Sequence, residues 1–557
     1  RNLVKELLHM VGVHHPQALV YPLTVASTSH PESNSTANLV LQQMRAHSET
    51  LVDQARLVSS ELIRVSINWF ESWLVSLETA SHQFFKENDA EGMLATLGPL
   101  HDQLNDPGPV TQNEISFANM FGRSLEQAQE RCKCYVKTGD RAFMHQAWEH
   151  YLRVFRLIQR QLPFLIKINL AYVSPSLLEV DSLDLAVPGT YQANVEVVRI
   201  KKFAPVLQVI SSKQRPRKMT LEGDNGKEFT FLLKGHEDLR QDERVMQLFG
   251  LVNTLLAEGE YTGKLHLRIT RYGAIPLSSN SGLIGWVPGC NTLHEIIRQL
   301  RKPDEFKIEL DRQAEFCKGM YEKLNIIQKV EVFQHSIAST PGDEFARNLW
   351  LRSPNSEIWL ERRSQFTRSI ALMSMVGYVL GLGDRHPSNL MLEKATGKVL
   401  HIDFGDCFEV AALRENFPEK VPFRLTRMLT SAMEVSGIEG NFRTTAEWVM
   451  KLLRDNKESL MAVLEAFVYD PLINWRLVAT EKEAGGEGGE GGEGEEVGEV
   501  EMEVDSVEGG AEVEMEVGVS VAKSVRQKRS GKWRWRLTRL KEGLRSRWRW
   551  VFLWLNR

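Results

Sequence analysis

Apolar side chains recur at helical spacing through the first third of the chain. Between residues 61 and 163, four such runs are separated by polar or glycine-containing turns. The runs are Glu61 to Trp73, the stretch around Phe84 and Phe85, Ser124 to Val136, and Phe143 to Leu162. Four amphipathic helices can bury a core of their own in an up-and-down arrangement. The pattern therefore predicts a four-helix bundle over residues 61–163, preceded by further helices in residues 1–60.

After residue 163 the pattern changes to short apolar strands alternating with longer helices. The stretch Glu228 to Leu233 is strand-like, and Asp238 to Ala257 carries its apolar residues on one helical face. A second apolar helical run, Ile370 to Leu382, and a second apolar strand, Lys398 to Ile402, follow later. These elements predict a mixed α+β architecture beyond the bundle.

Two polar motifs come directly after the last two of these elements. Residues 383–390 read Gly-Asp-Arg-His-Pro-Ser-Asn-Leu, and residues 401–406 read His-Ile-Asp-Phe-Gly-Asp. Asp384 can act as a base for a hydroxyl, while Asn389 and Asp403 are hard oxygen ligands suited to magnesium. Either motif alone is short enough to occur by chance, but both lie at the ends of rigid elements. Together they predict a site that binds a nucleoside triphosphate through magnesium and transfers its terminal phosphoryl group.

A lysine at the end of the first strand extends this prediction. Lys234 follows Leu233 and is placed to contact nucleotide phosphates, although a lysine there is usually only a solvated charge. Either Glu237 or Asp242 could hold it by ion pairing. The basic turn before this strand, residues 210–219, has no glycine-rich loop, so backbone amides with Ser211 or Ser212 would cradle phosphate.

Longer stretches connect these motifs to a known family. They are PGTY at 188–191, FLLKGHEDLRQDERVMQLF at 231–249, GLIGWVP at 282–288, GLGDRHPSNLM at 381–391 and HIDFGDCFEVA at 401–411. On these residues the chain, from about residue 20 to 478, resembles the C-terminal part of target of rapamycin kinases, a branch of the phosphatidylinositol 3-kinase-related family. The resemblance implies a two-lobed PI3K/PI4K-like kinase, with the small lobe and hinge at 164–288 and the large lobe at 289–478. It also implies a serine/threonine protein kinase that uses ATP and Mg²⁺ and regulates growth and nutrient signalling.

The resemblance assigns further residues to the site. It implies that Lys234 contacts the phosphates, that Asp384 acts as the base and that His386 stabilises the transferring phosphoryl group. It also implies that Asn389 and Asp403 hold the magnesium. The residues that it places around the adenine are Trp286 and Val287 in the hinge, with Tyr272, Met391 and Ile402 lining the pocket.

The predicted bundle resembles the FKBP-rapamycin-binding (FRB) domain, which in this family restricts access to the cleft and helps recruit substrates. The resemblance places these residues in its exposed hydrophobic groove: Leu77, Ser81, Phe85, Trp148, Glu149 and Phe155. The chain departs from the family at His145, where threonine is usual, and at Leu152, where tyrosine is usual. We expect the bulk of His145 to obstruct an immunophilin-rapamycin complex. Residues 1–60 resemble the end of the family's helical FAT scaffold, so we expect the sequence to be part of a longer protein.

The residues after Asp403 bear on the acceptor. Between Gly405 and Lys420 only Arg414 and Lys420 are basic, and each is flanked by a glutamate. Without a basic cluster to hold an inositol phosphate headgroup, protein is the better acceptor than phosphoinositide. A phosphoinositide kinase and a non-catalytic scaffold acting through residues 61–163 are the alternatives. The complete catalytic set argues against the scaffold.

Composition adds outer bounds. A chain of 557 residues that is 42% hydrophobic and 25% charged is large enough for two or three globular domains. Its net charge of -4 predicts no strong attraction to nucleic acid. The five cysteines have neither metal-ligand spacing nor a disulfide pattern, which favours the reducing cytoplasm. We expect contact with endomembrane surfaces only through partners.

Two segments stand apart from the domains. Residues 291–340 are charged and helix-rich, and the matching region of the family carries a β-propeller accessory subunit. A substrate-recruiting scaffold subunit is a further partner implied by the resemblance. Residues 479–522 are rich in glycine and glutamate and are predicted to be disordered.

Residues 523–557 are basic, with tryptophans interleaved, a mixture suited to weak contact with an anionic membrane or nucleic acid. No FATC pattern, the usual end of the family, is recognisable there. The tail is either a lineage-specific replacement or a misread gene end, and we favour the second.

Overall fold

The computed structural model describes residues 2–29, 34–106, 108–212, 214–301, 325–408, 410–414 and 418–469. The predictions for residues 479–557 and for residues 302–324 of the charged insert lie outside this part of the chain. Within it, the predicted α+β class is confirmed: helices come first, and a strand-rich lobe and a helical lobe follow.

Four helices precede the bundle and pack on the small lobe. They are α1 (Asn2–His14), α2 (Pro16–Ser29), α3 (Asn34–His47) and α4 (Glu49–Ser66). Val20 and Leu41 from these helices share one buried core with Leu221 and Leu233 of the sheet. Because this core is continuous, the N-terminal helices are a structural support of the small lobe.

The next four helices form the predicted bundle. They are α5 (Trp69–Phe85), α6 (Ala90–Asn105), α7 (Gln112–Thr138) and α8 (Ala142–Gln161). The apolar run that begins at Glu61 is divided: Glu61 to Ser66 completes α4, and the chain turns at Ile67 and Asn68 before α5. Asn68 and Glu71 exchange side-chain to backbone hydrogen bonds in a capping box, which explains why α5 starts there.

A buried polar pair lies in the core of the bundle. His101 Nε2 is 2.9 Å from the Tyr151 hydroxyl, and the His101 ring packs edge-on against Trp73. Burial, with the nearby Lys133 charge, lowers the pKa of His101 to about 4. The folded bundle therefore holds this imidazole neutral at pH values where an exposed histidine is charged.

This shift predicts an acid-sensitive bundle. Between about pH 4 and 6.5 the unfolded chain binds a proton at His101 that the folded chain does not, so stability falls as the pH falls. At pH 5 the loss is about 2 kcal/mol relative to pH 7. We expect urea midpoints, followed by tryptophan fluorescence, to drop more between pH 7 and 5 in the wild type than in His101→Gln. Equal drops would contradict a neutral buried His101.

The small lobe is built on a seven-stranded antiparallel sheet, ordered β1-β3-β4-β5-β7-β6 with β2 also paired to β4. Its strands are β1 (Lys167–Asn169), β2 (Ile200–Phe203), β3 (Val206–Val209), β4 (Arg217–Gly223), β5 (Glu228–Gly235), β6 (Ala274–Ser278) and β7 (Ser281–Gly285). Its helices are α9 (Leu170–Val173), α10 (Pro175–Leu178), α11 (Arg240–Glu258) and α12 (Glu260–Lys264). The predicted strand and helix around Lys234 correspond to β5 and α11.

The large lobe is mainly helical. Its helices are α13 (Leu293–Leu300), α14 (Ile326–Ser339), α15 (Glu344–Leu351), α16 (Ser356–Leu380), α17 (Arg427–Ala432), α18 (Asn441–Asp455) and α19 (Lys457–Tyr469). A small antiparallel sheet, ordered β10-β9-β8, contains β8 (Cys290–Thr292), β9 (Leu390–Glu393) and β10 (Val399–His401). Helix α16 is buried on nearly all sides from Phe366 to Gly377, which gives the loop after it a rigid base. None of the described helices has the length and apolar character needed to cross a membrane.

Candidate active site

The structure brings the two polar motifs together at the edge of the large lobe. Gly381 ends α16 in a left-handed conformation, and the loop that follows carries Asp384. The Gly383 N–H donates to the Asp406 carbonyl over 2.9 Å, and the Ile402 N–H donates to the Asn389 carbonyl over 3.0 Å. These two backbone hydrogen bonds hold the loops side by side.

Both candidate catalytic aspartates have a left-handed backbone. Asp384 has φ +57° and Asp403 has φ +60°. Among residues other than glycine, aspartate and asparagine adopt this region most readily, because their short side chains can hydrogen-bond locally. The left-handed conformation thus limits which residues can replace either aspartate without strain.

The Arg385 side chain connects the two loops. Its guanidinium donates to the carbonyls of Gly383 (2.7 Å), Ile402 (2.8 Å) and Asp403. The side chain is buried and lies over the Phe404 ring. Burial lowers the pKa of Arg385, and nearby Asp403 opposes that shift. A fork of donors that satisfies three carbonyls fixes the distance between the loop at residues 383–389, which we call the base loop, and the loop at residues 402–406, which we call the metal loop.

Asp384 lies among polar groups on the cleft side of its loop. Its backbone N–H donates to both carboxylate oxygens of Glu419, each at 3.1 Å. Its carboxylate is 3.5 Å from an Arg414 nitrogen and 3.9 Å from His386 Nε2. Arg414 also pairs with the buried Asp406. The His386 side chain is half exposed.

Asn389 and Asp403 fit a magnesium ion that also takes phosphate and water ligands. The Asn389 side-chain amide donates to the Asp384 carbonyl over 3.0 Å, which leaves its oxygen free to be a ligand. In the described part of the chain no cluster of three or more histidine, cysteine, aspartate or glutamate side chains could form a metal cage. One carboxylate and one amide oxygen are the kind of partial set that magnesium uses with nucleotide phosphates.

Lys234 is held on the small-lobe side by an ion pair. Its Nζ lies 2.6 Å from Glu237 Oε2, and both side chains are largely buried. Burial alone would lower the pKa of Lys234, but the charge and hydrogen bond of Glu237, together with Asp403 and Asp242, raise it above its ordinary value. The ammonium thus stays charged, as a phosphate contact requires. Of the two carboxylates left open by the sequence, Glu237 makes the ion pair.

Asp242 takes a different position, on helix α11 against the metal loop. Its Oδ1 accepts from the Phe404 N–H at 3.4 Å, and the neighbouring Gln241 amide donates to the Phe404 and Gly405 carbonyls at 2.8 and 3.1 Å. Burial raises the pKa of Asp242 to about 7, and the Lys234 charge opposes that rise. Helix α11 therefore connects the Lys234 side of the cleft to the Asp403 loop.

The remaining predicted nucleotide residues differ in their exposure and in what they pack against. Trp286 is 37% exposed, and the Lys218 ammonium lies 4.4 Å from the centre of its ring. Tyr272 is buried and stacks on Phe404. Three other predicted members are partly buried and pack against the core of the large lobe: Val287, Met391 and Ile402. Ser212 is exposed on the turn between β3 and β4.

The predicted groove residues lie where α5 and α8 meet. Phe85 is 58% exposed and its ring centroid is 5.3 Å from that of the buried Trp148. The His145 ring lies against both Phe84 and Phe85, with centroids 5.6 and 6.4 Å away. The other predicted members that reach the surface, fully or in part, are Ser81, Glu149, Leu152 and Phe155. Leu77 is 1% exposed and lies in the bundle core, beneath the groove.

The sequence did not indicate the residues that orient the candidate catalytic groups. Arg385 and Gln241 were assigned no role, although Arg385 lies inside the Asp-Arg-His motif, and Arg414 and Glu419 were considered only for the charge near the acceptor. A signal was present in part: Arg385 follows a buried helix and adjoins a charged catalytic group, a position where a free arginine is rare.

Comparisons with known proteins agree with this geometry. The family model described as phosphatidylinositol 3- and 4-kinase matches residues 228–477, and the model described as FKBP12-rapamycin binding domain matches residues 61–160. A solved structure of the open conformation of CtTel1 is 22% identical with a TM-score of 0.57, and covers 86% of this chain and 16% of that one. At that identity the likeness concerns the fold alone.

Curated relatives match at much higher identity. The serine/threonine-protein kinase TOR of Oryza sativa subsp. japonica is 57% identical over 86% of this chain and 19% of its own length. The mTor kinase of Drosophila melanogaster is 55% identical over 87% of this chain and 20% of its own. TOR2 of Saccharomyces cerevisiae is 56% identical over 84% of this chain and 19% of its own length. The chain thus spans about a fifth of the length of these relatives.

Proposed function

The chain belongs to the target of rapamycin family of serine/threonine protein kinases, and from this premise we propose that it transfers the γ-phosphoryl group of ATP to serine or threonine side chains of proteins. The observation that carries the proposal is the convergence of Asp384, Asn389 and Asp403 on loops joined by Arg385. A non-catalytic scaffold has no need for such a convergence, with Lys234 charged on the opposite wall. The physiological role that we propose is regulation of growth in response to nutrients.

The residues of the site divide the chemistry among them. Asp384 accepts the proton of the acceptor hydroxyl. The hydroxyl oxygen forms a bond to the γ-phosphorus as the bond between that phosphorus and the leaving ADP oxygen breaks. Lys234 binds phosphate oxygens, and His386 contacts the transferring group. Asn389 and Asp403 would hold magnesium, which supplies charge neutralisation on the phosphates when bound.

Protein is favoured over phosphoinositide as the acceptor. Arg414, one of two basic residues between 405 and 420, is turned toward Asp384 and Asp406. Its guanidinium is therefore engaged within the catalytic loops and is poorly placed to hold a lipid headgroup. Glu419, the glutamate beside Lys420, accepts hydrogen bonds from the Asp384 backbone N–H.

The experiment that tests the proposal is transfer of radiolabelled terminal phosphate from ATP, with magnesium, to a panel of protein and phosphoinositide acceptors. We expect label on protein serine or threonine, and loss of that label in a variant lacking the Asp384 carboxylate. Label on phosphoinositide alone would support the lipid alternative. Nucleotide binding without transfer to any acceptor would support the scaffold.

The bundle is proposed to bind an immunophilin-rapamycin complex weakly. The exposed Phe85 ring, which packs on the buried Trp148, offers an aromatic surface of the kind that such a ligand needs. The His145 ring fills part of that surface by packing on Phe84 and Phe85. An inserted ligand would have to displace it or lose contact with the two phenylalanines.

Replacing His145 with threonine is therefore expected to strengthen drug-dependent immunophilin binding by about tenfold, since relieving overpacking is typically worth about 1–3 kcal/mol. Titration of the immunophilin-drug complex by interferometry measures the change. The matched control is Gln146→Thr, which changes the exposed neighbouring position on the same helix. Equal affinity of His145→Thr and wild type would remove the steric explanation.

We also propose the accessory partners implied by the family. Helix α14 exposes Ile327, Val330 and Phe333, which suits a β-propeller subunit docking on the insert at residues 291–340. The substrate-recruiting subunit is proposed to meet the FRB-like bundle. A cytoplasmic location, with endomembrane contact through these partners, agrees with the free thiols of Cys132 and Cys407.

A further inference from the structure

The chain enters the bundle and leaves it again at neighbouring points on the small lobe. The chain enters at Ile67 and Asn68, and it leaves through a short 3-10 helix, Leu162–Phe164, before β1. The Arg215 guanidinium spans both ends: its Nε donates to Glu71 Oε1 over 3.1 Å, and its Nη2 donates to the Leu165 carbonyl over 2.7 Å. One side chain of the small lobe thus ties both ends of the bundle.

A second arginine completes the connection. Arg217 is 1% exposed, pairs with the other oxygen of the Glu71 carboxylate, and donates to the Arg215 carbonyl over 2.6 Å. We call Glu71, Arg215 and Arg217 the Glu71 cluster. Its charges are buried, so removal of one partner leaves another without compensation and shifts the structure around it.

Arg215 lies in the turn between β3 and β4, which also carries Ser211 and Ser212, and Arg217 is the first residue of β4, directly after that turn. Hydrogen bonds inside the turn make it a unit: Ser212 N–H donates to the Ile210 carbonyl (2.9 Å), and Arg215 N–H donates to the Ser212 carbonyl (3.2 Å). Arg215 also has a left-handed backbone, with φ +49°. Movement of the arginine side chains therefore carries the proposed phosphate-contacting backbone with it.

The end of β5, the strand that carries Lys234, packs against the chain where it passes from α4 into the bundle. A β-carbon at Gly235 would lie 2.5 Å from Ile67 Cγ1 and 2.7 Å from the Ser66 carbonyl oxygen. Only glycine allows this close approach of the end of β5 to the backbone between α4 and α5. Both elements proposed to contact phosphate, the turn and the end of β5, thus lie against the point where the bundle joins the lobe.

We propose that the residues of the Glu71 cluster are positioning residues that couple the orientation of the bundle to the binding of ATP phosphates. The inference rests on the proposed function, because it takes the turn and Lys234 as phosphate contacts. Coupling between two sites is reciprocal. A partner that changes the orientation of the bundle therefore changes ATP affinity, and bound ATP changes the affinity of that partner by the same factor.

The test is Glu71→Gln in the full chain. Glutamine keeps the size of the side chain and an oxygen for the cap, but it removes the charge that holds both arginines. We expect the KM for ATP and the Kd for magnesium-ADP to rise about fivefold or more. At saturating ATP, kcat and the KM for the protein acceptor should stay near wild type. A general loss of folded protein would instead lower kcat in proportion.

The matched control is Glu114→Gln. Glu114 closes the capping box of α7 with Thr111, as Glu71 does for α5, but its carboxylate pairs with Arg64 of α4 rather than with Arg215 or Arg217. It should leave the KM for ATP unchanged. Should Glu71→Gln fail to fold, Arg215→Gln, at a more exposed position, takes its place with the same expectation.

The outcomes separate the inference from the function on which it rests. Unchanged ATP affinity in a folded Glu71→Gln or Arg215→Gln variant overturns the coupling while the kinase proposal stands. An equal rise of KM in Glu114→Gln also overturns it, because the effect would then come from any weakening of the bundle. Failure of the wild-type chain to bind magnesium-nucleotide overturns the proposed function itself.

Discussion

Replacing Asp384 with asparagine is expected to lower phosphoryl transfer to protein by about 100- to 10,000-fold, the usual contribution of a general base. Magnesium-nucleotide binding should remain near wild type, because the proposed magnesium ligands are Asn389 and Asp403. Steady-state transfer of radiolabel at saturating ATP, paired with a nucleotide-binding titration, measures both quantities. The predicted signature is thus a loss of kcat without a loss of nucleotide affinity.

Asparagine tests the role of the Asp384 carboxylate more cleanly than alanine does, because it disturbs the backbone less. With φ +57° at Asp384, alanine would cost about 1–2 kcal/mol of backbone strain, whereas asparagine tolerates the left-handed region. The Asn389 amide donates to the backbone carbonyl of residue 384, so that hydrogen bond survives the change. Asp455→Asn, an exposed position at the end of α18, is the control for an uninvolved carboxylate. Transfer at the wild-type rate in Asp384→Asn would exclude Asp384 as the base.

Periodicity alone predicted a four-helix bundle but not the bounds of its helices: Trp73 and the stretch around Phe84 and Phe85 both lie in α5, and α6 falls in none of the predicted runs. The entry to the bundle differs as well. The apolar pattern runs without interruption from Glu61 to Trp73, so it predicts one helix where the structure has two. The break is specified locally by Asn68 and Glu71, an asparagine with glutamate three residues later. That signal was in the sequence, but it competes with a strong helical pattern, and only the docking of α4 on the sheet decides between them.

The same limit applies to the groove and to the lysine partner. Leu77 was assigned to the groove by resemblance, yet its side of α5 faces the bundle core, and helical spacing cannot tell a groove floor from its surface. Glu237 and Asp242 were equally placed by the sequence. The sharp turn at His236, with φ +61°, brings Glu237 back onto Lys234 and leaves Asp242 to the metal loop.

The candidate catalytic residues could be proposed from the sequence because their chemistry is written in short motifs, whereas the residues that hold them in place could not. Gln241 and Phe404 are separated by 163 positions in the chain and yet share a hydrogen bond. The bond depends on how α11 packs against the large lobe, which no local pattern encodes. The left-handed backbones of Asp384 and Asp403 are likewise visible only in three dimensions.

Replacing Asp403 with asparagine is expected to weaken magnesium-dependent nucleotide binding by about a hundredfold, since losing a charged partner in such a site costs on the order of 3 kcal/mol. Asparagine keeps an oxygen and tolerates φ +60°, so the change isolates the carboxylate charge. Titration with a fluorescent nucleotide, with magnesium and with a chelator, measures the magnesium-dependent part of the affinity.

The chelator arm decides what Asp403 does. We propose that Lys234 and Trp286 contact the nucleotide without metal, so binding in chelator should be about equal in Asp403→Asn and wild type. Circular dichroism should be unchanged, because Arg385 holds residue 403 through its backbone carbonyl and not through its side chain. If the variant kept full magnesium dependence, the metal would have to be held elsewhere, and Asn389 alone cannot supply the charge that Mg²⁺ requires.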